Sequence, residues 1–430
     1  MSEWEALDRL AEDFPAVASV FKTHWETPLK EYAAELYHHP ATSLEPELKE
    51  AFATEWGLMG LDQKTIDDCL EKLEKNPVLQ TSHHVTPTNG PTFLAIDIIS
   101  QLGLKESDIY LVAASSGVAF SNTAWSGAIS YGEIPLEQLV KKDTPLYLKE
   151  WKAAQDRQRD GTGDNRISLI SAKMRDQLLY GSSISEGMVE IYSQFSDELK
   201  ALLVEPQEGQ SYSVWACLNC SRLQQRVIGH SPEFYFDSNR VIANYLIAIL
   251  SNPSDHFIKD MLFKTDLSER VNELFNHPGF FLKGYKGKKS SKIEELGWKN
   301  GGTDGRRSGW TEYQPETLAD ALRDEEICPG VFLQFLVFRF INGLKCLGSF
   351  HQTEYLERYR KQWLEGELGR ELKLDSDPFP ALTTGRLLTN EREVWPLDLA
   401  WHRAKVPLEY LPSQAMSHLW EPIVQQLAGG

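Results

Sequence analysis

Apolar residues recur at helical spacing from the start of the chain: Trp4, Leu7, Leu10 and Phe14, then Val17, Val20 and Phe21. That period predicts two or three short helices, because Pro15 and Pro28 interrupt the pattern. A further helix is expected from Asp62, whose carboxylate can cap it, with Ile66, Cys69, Leu70 and Leu73 on one face and Asn76-Pro77 as the stop. The pattern then changes. Residues 78–81 predict a strand, residues 93–102 a buried helix closed by Gly103, and residues 109–113 a second apolar strand. Strand, loop, helix and strand make a βαβ unit, whose ligand site lies at the carboxyl ends of its strands. Those ends are residues 81–90 and 114–122.

Farther along, the polar run DRQRDGTGDN at 156–165 predicts an exposed loop, and helices are expected over 167–179, 188–203, 240–250 and 258–274. Residues 283–309, rich in Lys, Gly, Ser and Arg, predict a second flexible stretch. The expected fold class is α/β, with a Rossmann-like parallel sheet core and substantial additional helices. It divides into a helical segment (1–75), an α/β core with helical insertions (76–360) and a C-terminal extension packed on that core (361–430).

Composition narrows the function classes. With 41% apolar and 11% aromatic residues, the 430-residue chain has ample material for a large core. A formal charge of −18 repels nucleic acid and anionic lipid, so neither a nucleic-acid nor a membrane partner is expected. The acidic start MSEWEALDRLAEDF is unlike a signal peptide, and the most apolar stretch, 330–344, is broken by Gln334, Arg339 and Asn342. Five cysteines, an odd number in a long chain, fit free thiols in a reducing compartment. A soluble, cytoplasmic protein acting on a small molecule is expected, with the oligomeric state open.

The densest chemistry lies at 81–91, TSHHVTPTNGP. Two imidazoles and several hydroxyls sit between a strand and a helix N-terminus, where free amides and the helix dipole favour an anion. His83 or His84 is the candidate general base, with Thr86, Thr88, Asn89 and the Gly90 amide holding an anionic group. The bland alternative is a capped loop with one buried histidine. Ser115, Ser116 and Asn122, after the second strand, are candidates to orient a partner, although a structural turn explains them equally well. His351 and Gln352 are candidates for a facing wall, against the plainer reading of a loop histidine. The pair Cys217 and Cys220 has the spacing of half a zinc site, but no second pair accompanies it, so buried thiols are the better reading and no metal is expected. The basic run at 283–292 suits either a phosphate clamp or a solvated loop. Whether a nucleotide is needed stays open.

The 81–91 segment resembles the motif of the bacillithiol synthase family, the cysteine-adding enzymes, which reads approximately T-G-Q-Q-x-G-L-x-x-G-P before a helix. Thr81, Gly90 and Pro91 coincide with it; Ser82, His83, His84, Thr86 and Pro87 replace Gly, Gln, Gln, Gly and Leu. Residues 329–355 are similar to the family's second signature, with Val331, Gly348 and Tyr355 fitting, so the likeness spans roughly 62–360. It implies a Rossmann-like core. Several family charges are replaced: the acidic E-D-H-D stretch falls on Ser116, Gly117, Val118 and Ala119, the motif arginine on Gln334 and the motif glutamate on Gln352. A weaker likeness is to pantothenate synthetases, whose P-T-x-G loop is matched by 87–90, but the His-containing motif that follows there is absent.

Two functions follow as expectations. One is a ligase- or transferase-like enzyme joining an amino acid or another amine or thiol to a small acceptor in specialised biosynthesis. The other is a non-catalytic binding or scaffold protein that keeps a bacillithiol-synthase-like fold.

Overall fold

The structure is a computed structural model that describes residues 3–117, 128–159, 167–170, 181–286, 291–299, 301–366, 368, 372–374, 381–389 and 392–428. Its strands are β1 (Val78–Gln80), β2 (Tyr110–Ala114), β3 (Ala128–Tyr131), β4 (Ile167–Ile170), β5 (Glu233–Asp237), β6 (Phe281–Lys286), β7 (Ser291–Lys299), β8 (Gly302–Gly305), β9 (Gly309–Glu312), β10 (Cys328–Pro329), β11 (Lys345–Leu347), β12 (Leu388–Thr389) and β13 (Arg392–Glu393). Four of them form the central sheet, in the order β11-β1-β2-β5, and every pairing in it is parallel. The protein is therefore a mixed α/β structure built on a four-stranded parallel sheet.

The period of two along each strand sends alternate side chains to two different cores. Val78, Tyr110, Val112 and Tyr235 face one, and Leu79, Leu111, Ala113 and Phe236 the other. The first core is covered by the helices Pro15–His24, Leu29–Leu36, Pro91–Leu102 and Tyr212–Val227, with Trp420 from the C-terminal helix against Phe21 (4.7 Å) and Tyr32 (5.4 Å). The helices Pro46–Leu58, Gln63–Lys75 and Ser238–Ser251 cover the second. The expected cap at Asp62 is present, its carboxylate accepting from Thr65 N at 2.8 Å. Pro15 and Pro28 separate three N-terminal helices.

Several local expectations are corrected. Of the helix expected over 167–179, Ile167–Ile170 is a strand, pairing antiparallel with β3 where its β-branched residues are well placed, and 171–179 lie outside the described residues. The helix expected over 188–203 breaks into Glu186–Ser193 and Asp197–Leu202, because Ser196 starts a new helix by accepting from Leu199 N at 3.1 Å. That over 258–274 divides into Phe257–Phe263 and Thr265–Leu274. Of the stretch expected to be flexible, 283–309, the described residues largely supply β6 to β9 of the antiparallel sheet β10-β6-β7-β8-β9, while 287–290 and 300 lie outside the described residues. Its Gly and Lys content conceals a period of two that buries Leu296 and Trp298, and the Trp298 indole donates to Leu262 O at 2.6 Å.

The chain runs β1, β2, β5 toward one edge of the sheet and then returns to place β11 on the far side of β1. Strand order therefore reverses between β1 and β11, which directs attention to the segments leaving their carboxyl ends.

Candidate functional site

Residues 81–91 leave β1 at this reversal. Gln80 anchors the start: its amide nitrogen donates to Ser100 Oγ (3.0 Å) and Thr383 Oγ1 (3.1 Å), while its oxygen accepts from Ser82 N (3.0 Å) and Ser82 Oγ (2.7 Å). The loop then extends the sheet, with Ser115 N donating to His83 O (2.8 Å) and Val85 N to Ser115 O (3.0 Å). Extended backbone turns successive side chains to opposite sides. His83 is consequently buried, whereas His84 is half-buried.

His83 is fully enclosed, with Nε2 3.0 Å from Asp97 Oδ1 and its ring stacked 4.6 Å from Phe93. Asp97 sits on the Pro91–Leu102 helix, where Tyr110 OH donates to Oδ1 (2.9 Å) and Tyr235 OH to Oδ2 (2.7 Å). Asn89 Nδ2 in turn donates to Tyr235 OH at 2.8 Å, and the Cys220 thiol to Thr86 O at 2.8 Å. Nearby, Glu233 accepts from Gln101 Nε2 at 2.8 Å. Burial, reinforced by the charge of Asp97, lifts the Glu233 carboxyl well above the usual carboxylate range. Burial also raises the Tyr110 and Tyr235 phenols and the Cys220 thiol.

The expected anion-holding residues separate by exposure. Thr88 and Asn89 are buried, Thr88 Oγ1 accepting from Ser130 N at 2.8 Å, and Gly90 is the buried N-cap of the Pro91–Leu102 helix, which has no side-chain cap. Thr86 is half-buried, its hydroxyl donating to Thr88 O at 3.2 Å. Thr81 donates to Leu347 O (3.1 Å) and accepts from Gln352 Nε2 (2.6 Å). Gln352 thus joins the β1–β11 edge, in the first turn of the Phe350–Glu365 helix. His351 does not: it is exposed, beside Phe14 at 5.4 Å.

At the ends of β2 and β5 lies a second polar centre. Asn239 Oδ1 accepts from Ser115 Oγ (3.0 Å), Ser116 N (2.9 Å) and Gly117 N (3.0 Å). A Cβ on Gly117 would lie 2.6 Å from Asn239 Nδ2, so only glycine permits this approach. Ser116 Oγ donates to Asp237 Oδ1 at 2.7 Å, and Asp237 caps the Ser238–Ser251 helix. Arg240 bridges Asp237 (3.3 Å) and the fully buried Glu55 (2.7 Å), and its guanidinium also bonds Ser211 and Ser213. Asn122 lies outside the described residues.

Sequence reasoning missed Glu55, Asp97, Asp237, Asn239 and Arg240. The signals were present: Asp97 is an isolated acid inside an apolar helix, and 233–240 repeats the strand-then-cap pattern already noted at 78–91. Cys217 and Cys220 are buried on one helix with thiols raised by burial, and no group of three or more metal-ligating side chains occurs among the described residues. Among them, too, no helix is long and apolar enough to cross a membrane. The chain matches no protein-family model, no curated protein and no solved structure.

Proposed function

We propose that this chain is a Rossmann-like enzyme that joins an amine or thiol, such as an amino acid, to a small acceptor at the carboxyl edge of its parallel sheet. The observation that carries this reading is that five half-buried polar residues, Thr81, His84, Thr86, Ser115 and Ser116, follow the carboxyl ends of β1 and β2, beside the point where strand order reverses and ahead of a helix that begins without a side-chain cap. In this reading His84 takes the N–H or S–H proton of the nucleophile as its lone pair attacks the acceptor carbon, then returns that proton to the oxygen that leaves or becomes a hydroxyl. The threonine and serine hydroxyls orient the two reactants. His83, held by Asp97, is a positioning residue beneath the site. The reading uses no metal, and an acceptor carrying a nucleotide is compatible with it.

A binding or scaffold role draws support from one observation: His83, Thr88 and Asn89 are committed to the interior. Incubating the protein with amino acids, low-molecular-weight thiols and pooled carbonyl or activated acceptors, followed by mass spectrometry, separates the two. A condensation product that disappears in a folded His84→Ala variant supports the enzyme. Ligand binding without product in any mixture supports the scaffold.

A further inference from the structure

Away from the sheet edge, a cavity of about 520 Å³ opens between residues 132–133 and the C-terminal segment, with Glu133, Arg392, Trp395, Asp398, Leu399 and Ala404 in its wall. Its size suits a small molecule. We propose that it binds a small organic cation, with an ammonium head on Asp398 and an apolar or aromatic body against Trp395 and Leu399.

The charges in the wall decide the sign. Arg392 is 3.0 Å from Glu133, and Glu393, which also lines the cavity, is 3.2 Å from Arg386. Asp398, only 8% exposed, has no Lys or Arg within ion-pair distance among the described residues. Backbone amides hold it instead: Gly132 N at 3.0 Å and Glu133 N at 2.9 Å. These fix the carboxylate without neutralising it. A side chain at 132 would prevent the arrangement, since its Cβ would fall 2.8 Å from Asp398 Oδ2 and 2.4 Å from Trp395 Cδ1. Burial raises the Asp398 carboxyl, aided by the charge of Glu133 and opposed by the two amides and by His402, which also borders the cavity. A desolvated carboxylate beside an aromatic wall favours an ammonium over an anion or a neutral head.

Calorimetric titration with phenethylamine, phenethyl alcohol and 3-phenylpropanoate tests this on the full chain. These probes share a ring and differ in charge. Phenethylamine is expected to saturate, with the alcohol and the carboxylate at least about tenfold weaker. Asp398→Asn should weaken the amine about tenfold or more, and Ala404→Phe, which fills the cavity from a partly exposed position, should abolish binding while the chain stays folded. No saturation by phenethylamine up to about 10 mM overturns the proposal. So does equal binding of the alcohol, or undiminished binding to Ala404→Phe.

Discussion

Two polar centres lie along the same sheet, and they are built from different materials. Around Asp97 the partners are two phenols and an imidazole, with the Cys220 thiol on Thr86 and Asn89 and a second carboxyl, Glu233, raised by burial. Around Asp237 the partner is Arg240, whose charge is fixed and which also bridges Glu55. The first centre is therefore held by phenols and an imidazole around one acid, and the second by a guanidinium between two acids, one of which, Glu55, burial pushes up to about 7 against the pull of Arg240. Losing a side chain therefore does most damage at the second centre, where two buried acids depend on one cation, while a raised carboxyl makes each centre respond to pH.

The largest effect should follow from breaking the fixed-charge centre. Arg240→Met leaves Glu55 and Asp237 buried without a cation and should cost about 3–5 kcal/mol in denaturant unfolding. A loss under about 1 kcal/mol would mean the bridge contributes little. Next comes His83→Ala, which opens a void beside Asp97 and Phe93 and should cost about 2–4 kcal/mol.

The third prediction concerns pH. The folded Glu233 carboxyl is raised above its unfolded value, so folding binds a proton there. This contribution is full below the unfolded value and declines as pH rises toward the folded one. Glu233→Gln removes that decline, so its stability relative to wild type should grow by up to about 1.4 kcal/mol per pH unit above about pH 4.3. Parallel stability curves for the two proteins from pH 5 to about 8 would contradict a raised Glu233 carboxyl. The smallest effect on stability is expected at His84→Ala, within about 1 kcal/mol by thermal melting, since its side chain is only half-buried. A larger loss would make it another structural histidine.

Much of the sheet was legible. Residues 78–81, 93–102 and 109–113 carry their own period, and the structure places them as two adjacent parallel strands and the helix between them. Local pattern does not encode β11, the three buried positions Lys345, Cys346 and Leu347 that gain meaning only beside β1, or the strand period beneath the Gly and Lys of 283–309. At the candidate site, the 81–91 segment announced itself by composition. Which imidazole faces inward is set by the pairing of His83 and Val85 with Ser115, a contact between distant residues that no spacing within TSHHV reveals. The same holds for Gln352, reached through Thr81, and for Asp237 and Arg240, which depend on Glu55 from another helix.

The claim that the sheet edge is a ligand site rests on the half-buried polar residues at the carboxyl ends of β1 and β2, His84 and Thr81 among them. Thermal-shift screening of amino acids, thiols, phosphosugars and nucleotides against wild type, His84→Ala and Thr81→Val tests it most directly, because a ligand of the folded state raises the melting temperature. The account predicts a compound whose shift is present in wild type and lost in both variants while they melt cooperatively. A shift that both variants retain, or no shift with any compound, would contradict it.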